Sequence, residues 1–232
     1  MSLTGSELVD EIQTLVGRVS TDPLVDDTRC TRWLNEAQRE IADACPGLKT
    51  LTFKNTTSID TTQKLQYDLT DITFGDSTRC QLNRVFEIFY LDGNESVHLN
   101  FTHVDEFDKE WPDPTHSDYS PDKPNRWTRR GNKIEIFPLS ACSYCNKDLR
   151  FNGDFYAEDF TTNDTDTSDI SNADDGLIFY ATGEAWDVIG GETGNAESLK
   201  YKAKFLNWLE NYKTKNETLY EWDGNQFGDA LE

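Results

Sequence analysis

The chain has 232 residues and carries 43 Asp and Glu against 22 Lys and Arg, a formal net charge of −21, at a mean hydropathy of −0.71. Thirteen Phe, nine Tyr and six Trp supply the apolar area for a real core, and the length fits one large domain or a domain with a subsidiary module. Such a charge disfavours DNA binding through phosphate neutralisation, which needs surplus cation on at least one face. No apolar run reaches the length of a membrane span, and Met1–Asp10 lacks the basic-then-apolar layout of a secretory signal, so the sequence predicts a chain made in the cytosol with no membrane partner. The five cysteines, Cys30, Cys45, Cys80, Cys142 and Cys145, are odd in number and scattered, which argues against a disulfide framework.

Two explanations suit the charge. A carboxylate-covered surface tolerates multimolar salt, where the screening length shrinks to roughly 3 Å. Alternatively, a negative surface lets DNA slide past without sticking.

Helical periodicity opens the chain. Leu8, Val9, Ile12, Leu15, Val16 and Val19 predict a helix over Ser6–Val19, with Thr4 and Glu7 at capping-box spacing. After Asp22-Pro23, the stretch Asp27–Ala44 repeats Cys30, Trp33, Leu34, Ala37, Ile41 and Ala44 at steps of three and four, with Pro46-Gly47 to stop it. The two helices read as an antiparallel hairpin with an open side still to be covered.

From Leu48 the period becomes alternating. Strands are predicted around Leu51 and Phe53, over Leu65–Leu69, at Arg84–Leu91 with a return at Val97–Phe101, at Trp127–Arg129 and Lys133–Phe137 about an Arg130-Gly131-Asn132 turn, and at Asp148–Phe155. A short helix is expected over His103–Glu110 and a proline-bearing loop over Pro112–Pro124. The whole is a mostly antiparallel sheet of about five or six strands.

Tyr156–Gly176 is acidic, with no basic residue, and reads as a solvated loop because like charges repel. Its Asn163-Asp164-Thr165-Asp166 string lacks the glycine and distal Glu of a calcium loop. A second helical pair follows. Leu177, Ile178, Ala181, Ala185, Val188 and Ile189 stripe the first, which ends at Gly190-Gly191. The second, from Asn195 to about Tyr212, carries Leu199, Ala203 and Leu206 and, one face over, Phe205, Trp208, Leu209 and Tyr212, an arc wide enough to contact both a bundle and something beyond it. The end of the chain, Leu219–Glu232, spends Leu219, Tyr220, Trp222, Phe227 and Leu231 without periodicity, as docking segments do.

The fold class is therefore α+β: a four-helix bundle from N- and C-terminal helix pairs (1–47 and 173–218), an inserted sheet module (48–155), an acidic loop (156–172) and an extended C-terminal tail (219–232). Bundle-core positions include Trp33, Leu34, Ile41, Ala185 and Trp186. Chemistry is harder to find. There is no P-loop, nucleophile elbow, HExxH helix or dinucleotide fingerprint, Cys142 and Cys145 form half of a zinc spacing with no second pair, and no carboxylate pair stands out from surface charge. No enzyme, metal or cofactor is expected.

The string Trp33-Leu34-Asn35-Glu36-Ala37-Gln38-Arg39-Glu40-Ile41 resembles the second helix of the head–tail connector, or tail adaptor, proteins of tailed viruses. Tyr67-Asp68-Leu69, the strand Arg84–Leu91, Pro124-Asn125-Arg126-Trp127 with Gly131 and Ile134–Pro138, and Ala181, Ala185 and Trp186 resemble further strings of that family in the same order. The acidic insert at 156–176 and the cysteine-bearing turn at 139–147 depart from the pattern. The resemblance implies a virion protein at the head–tail connection, a ring usually of twelve copies beneath the portal, with tail proteins below and genomic DNA passing through the lumen without specific binding. It makes Leu219, Tyr220, Trp222, Phe227 and Leu231 candidates for portal docking, and the loop residues Asp92, Gly93, Asn94, Pro112 and Pro124 candidates for tail contact. A virion-associated cell-wall hydrolase and an acidic DNA mimic are the competing readings.

Overall fold

The computed structural model describes residues 2–45, 52–58, 66–69, 72, 82–92, 95–113, 120–139, 141–144, 147–162 and 164–217. In chain order the elements are α1 (Gly5–Val16), α2 (Asp27–Ala44), β1 (Thr52–Ser58), β2 (Gln66–Asp68), β3 (Leu82–Asp92), β4 (Glu95–Phe101), α3 (Val104–Glu110), β5 (Arg126–Arg130), β6 (Lys133–Phe137), β7 (Asp148–Phe155), α4 (Asp174–Ile189) and α5 (Gly191–Glu217). This is an α+β chain in two compact units. Among the described residues, one unit holds those up to Cys45 and from Tyr156 onward, and the other runs from Thr52 to Phe155.

In the helical unit, Thr4 caps α1: its hydroxyl accepts from Glu7 N–H at 3.3 Å while the Glu7 carboxylate accepts from Thr4 N–H at 2.9 Å. The predicted helix reaches Val19, but α1 stops at Val16, because Gly17 adopts φ 65° and turns its N–H back onto the last turn. Leu15 and Val19 are thereby left exposed. Asp26 caps α2 through Arg29 N–H at 2.8 Å, and α2 covers the predicted Asp27–Ala44. Leu8, Ile12, Trp33, Leu34, Ile41 and Leu177 are almost wholly removed from water in a core shared with Ala181, Ala185 and Phe205. In that core α4 packs against α1, α2 and α5.

The link between α4 and α5 is tighter than the Gly190-Gly191 break and Asn195 start predict. Only Gly190 lies between the helices, and α5 begins at Gly191 and runs to Glu217. Gly190 and Gly191, at φ 69° and 73°, make the reversal, and Glu192 sits at the positive end of the new helix.

The sheet unit orders its strands β1-β7-β3-β4-β5-β6-β2. Among the described residues it has seven strands rather than five or six, and β4 runs parallel to β5 while the other pairs are antiparallel. A parallel pair needs a crossover connection, and α3 lies on it. Phe107 of α3 is buried against Phe137 and Trp111, and Arg130 pairs with both Asp108 of α3 and the buried Glu135 of β6. Two register shifts bulge β3 opposite β7, and Gly153 lies there because a Cβ would run into the Arg84 carbonyl oxygen.

Candidate interaction surfaces

The α2 string that carries the resemblance contains polar residues on its inner side, and they grip the acidic segment. Asn35 donates to the Phe160 carbonyl at 3.0 Å and accepts from the Phe160 N–H at 2.8 Å. Gln38, almost wholly buried, donates to the Glu158 carbonyl at 3.1 Å and accepts from the Ser168 hydroxyl at 2.7 Å. Arg39 closes the row with an ion pair to Asp159 at 2.6 Å.

The start of α1 holds the same segment from the other end. Gly5 and Ser6 donate to the carbonyls of Asp166 and Asp164, both at 2.9 Å, and a Cβ on Gly5 would crowd the Phe160 ring. These contacts overturn the expectation of a solvated, self-repelling loop over 156–172. Two of its carboxylates have backbone partners, Asp164 accepting from Thr161 and Asp166 N–H and Asp169 from Glu158 N–H, and just beyond it Asp174 of α4 accepts from Leu3 N–H, at 2.8 to 3.0 Å. A carboxylate bonded to fixed N–H groups stabilises a turn instead of opening it.

On the far helix the two-sided arc divides. Phe205, Leu209 and Tyr212 are buried, and Trp208 stacks on Phe205 and Tyr212 over Gly176 of α4. Leu199 and Leu206 are 71% and 63% exposed, with Ala196 and Ala203 exposed between and beside them. The spacing of 196, 199, 203 and 206 is a three-four repeat along one line of the helix.

Trp33, Leu34, Ile41 and Ala185 lie in the helical core and Trp186 is half-buried against it. Of the loop candidates, Asp92 is half-buried, and its ion pair with Lys147 at 2.6 Å holds the carboxyl below the usual range. Pro112 is exposed, whereas Pro124 is buried and so directs the loop instead of offering a surface. Gly93, Asn94, Leu219, Tyr220, Trp222, Phe227, Leu231 and the end of the Cys142-x-x-Cys145 spacing lie outside the described residues. Among the described residues no cluster of three His, Cys, Asp or Glu is placed to hold a metal ion, and no helix is long and apolar enough to cross a membrane.

The helical unit is thus built from both ends of the sequence, with the sheet unit inserted between them in chain order and an apolar line left on the last helix. The chain belongs to the SU10 adaptor protein family, whose model matches residues 3–223. This is a family of phage head–tail adaptors, which places the protein among structural virion components that meet portal and tail at the head–tail junction. No curated protein matches the sequence.

Proposed function

We propose that the protein, made in the host cytoplasm, forms a ring of twelve copies between portal and tail, through which the genome passes. The observation that carries this reading is the family match, which spans both compact units. In the ring the four long helices act as one bundle, the residues after 218 reach up to the portal through Leu219, Tyr220, Trp222, Phe227 and Leu231, and loop residues of the sheet, among them Asp92, Gly93, Asn94 and Pro112, face the tail. Aromatic anchors suit such docking, and binding energy offsets the ordering of a short segment. A net charge of −21 suits a lumen that repels phosphate, so DNA moves through unbound. The same charge suits a virus of salt-rich surroundings, a reading that dialysis to low salt tests: rings that persist unchanged argue against it.

Electron microscopy of the full chain mixed with purified portal tests the proposal. Twelvefold density beneath the portal is expected, with the chain largely monomeric when alone. Truncation before Leu219 should abolish portal binding, and normal assembly of the truncated chain would overturn the docking role.

A further inference from the structure

In the described residues, large exposed apolar side chains gather on the helical unit, with Phe101 of β4 the exception. Apart from Val188 of α4, they form two groups. One is the α5 line of Leu199 and Leu206 with Ala196 and Ala203. The other spans ten residues at the end of α1 and the turn after it: Leu15, Val19, which is 65% exposed, and Leu24. The two groups lie on helices that share α4 as a packing partner but have no extended contact with each other.

Charge separates them too. Among the helices of the described residues, α5 alone has a cationic excess, five lysines against four glutamates, in a chain with about twice as many acids as bases. Lys200 and Lys204 border the apolar line. Lys200 pairs with Glu197 at 2.7 Å, but the Lys204 ammonium lies over the rings of Tyr201 and Phe179 and has no carboxylate partner among the described residues. On α1, Glu7, Asp10 and Glu11 are unaccompanied by any base. Asp10 and Glu11 are exposed without a cationic partner among the described residues, Glu11 stands one turn before Leu15, and Arg18, the base within the Leu15–Leu24 stretch, is paired with Asp22 at 2.8 Å.

We infer that these are the two halves of one contact between copies, the lysine-edged α5 line of one subunit seating on the acid-edged Leu15–Leu24 patch of the next. Two different patches that complement each other repeat head to tail, and such a contact generates a ring when its rotation closes. The contact buries apolar side chains and brings unbalanced cation to unbalanced anion, which orients the approach and excludes the reversed pairing. The inference rests on the ring reading and names the surface that joins its subunits.

The test uses the full chain and purified portal, with rings counted by electron microscopy. One variant carries Lys200→Glu and Lys204→Glu, the other Asp10→Lys and Glu11→Lys. All four positions lie on the surface, and far-UV circular dichroism checks that both variants fold. Each alone opposes like charges at every contact and should lose rings by about tenfold or more. An equimolar mixture restores opposite charges at every contact of an alternating ring, so rings should return. Leu199→Asp with Leu206→Asp should lose rings with no rescue by either charge variant. Full ring counts for each variant alone would overturn this contact and leave the ring reading intact. Loss without rescue in the mixture would also overturn it. A wild-type chain that never gathers on portal would remove the ring reading and this contact together.

Discussion

Asn35 shows how much one buried amide can organise. Its side chain completes both hydrogen bonds of the Phe160 peptide across 125 positions of sequence, and Gln38 does similar work for Glu158 and Ser168 one turn later. Removing it strands a backbone donor and acceptor, so Asn35→Ala should cost about 1–3 kcal/mol in urea unfolding and speed exchange of the Phe160 amide. An exchange rate unchanged by the substitution would show that the amide is protected by something else. Asn35→Asp keeps an acceptor for the Phe160 N–H but loses the donor and adds charge near Asp159, so it should fall between wild type and alanine. The sequence contains this string in full and periodicity places its apolar members, yet nothing local reveals the grip. Polar residues on an amphipathic helix read as solvated unless their distant partners are known. Arg130 is comparable in the sheet unit, where it is the cationic partner of the buried Glu135 and ties Asp108 of α3 to the hairpin. Arg130→Ala should destabilise that unit by about 1.5–3 kcal/mol, measured as a lowered urea midpoint at constant slope.

Elements that are regular over many residues were the legible ones. The α2 stripe and its acidic start specify a helix with the observed ends, and Val-, Ile- and aromatic-rich alternation places β3 to β7 within a few residues. What periodicity misses are the places where tertiary contact decides. Gly191, Thr193 and Gly194 are poor helix formers, and on propensity α5 begins later; in the fold Gly194 approaches the Trp186 carbonyl of α4 too closely for any larger residue. The parallel β4–β5 pair is likewise invisible locally, since both strands alternate as antiparallel ones do. Gly153 did carry a signal, an isolated glycine inside a strand pattern, which marks a bulge or a close backbone. The α4–α5 pair offers the sharpest test at this scale. A Cβ at Gly176 would overlap the ring of Trp208, which is itself held in a stack between Phe205 and Tyr212. Gly176→Ala should therefore destabilise by about 1–3 kcal/mol despite alanine's better helix propensity. Adding Trp208→Leu to the variant should recover part of the loss relative to Trp208→Leu alone, a non-additivity that a double-mutant cycle reads directly.

For the whole molecule, acid and alkali should act through different groups. On the acid side, hydrogen bonds from Thr4 hold the Glu7 carboxyl below its ordinary value, a bond from Leu24 N–H does so for Asp22, and the partners Lys147 and Arg130 do so for Asp92 and Asp108. A depressed carboxylate favours the fold when ionised, so its contribution is complete above about pH 4 to 4.5 and is lost as pH falls below that range. These groups lie in both units, and acid should weaken both. Alkali differs. Burial pushes the Cys30 thiol from 9.0 up to about 12, helped by the charges of Asp27 and Asp26, and burial raises the Tyr180 and Tyr212 hydroxyls from 10.0 to about 12. Each favours the fold while neutral, so its contribution is complete below the ordinary value and disappears as pH climbs through the raised one. All three sit in the helical unit. Between about pH 9 and 12 the helical unit should therefore lose stability, seen as a falling urea midpoint followed by helical ellipticity. Cys30→Ala removes one of these titrations and should move the onset of the alkaline transition upward, relative to its own neutral-pH stability. An alkaline onset unmoved by the substitution would mean that repulsion among the 43 carboxylates and newly charged surface groups governs alkaline unfolding instead.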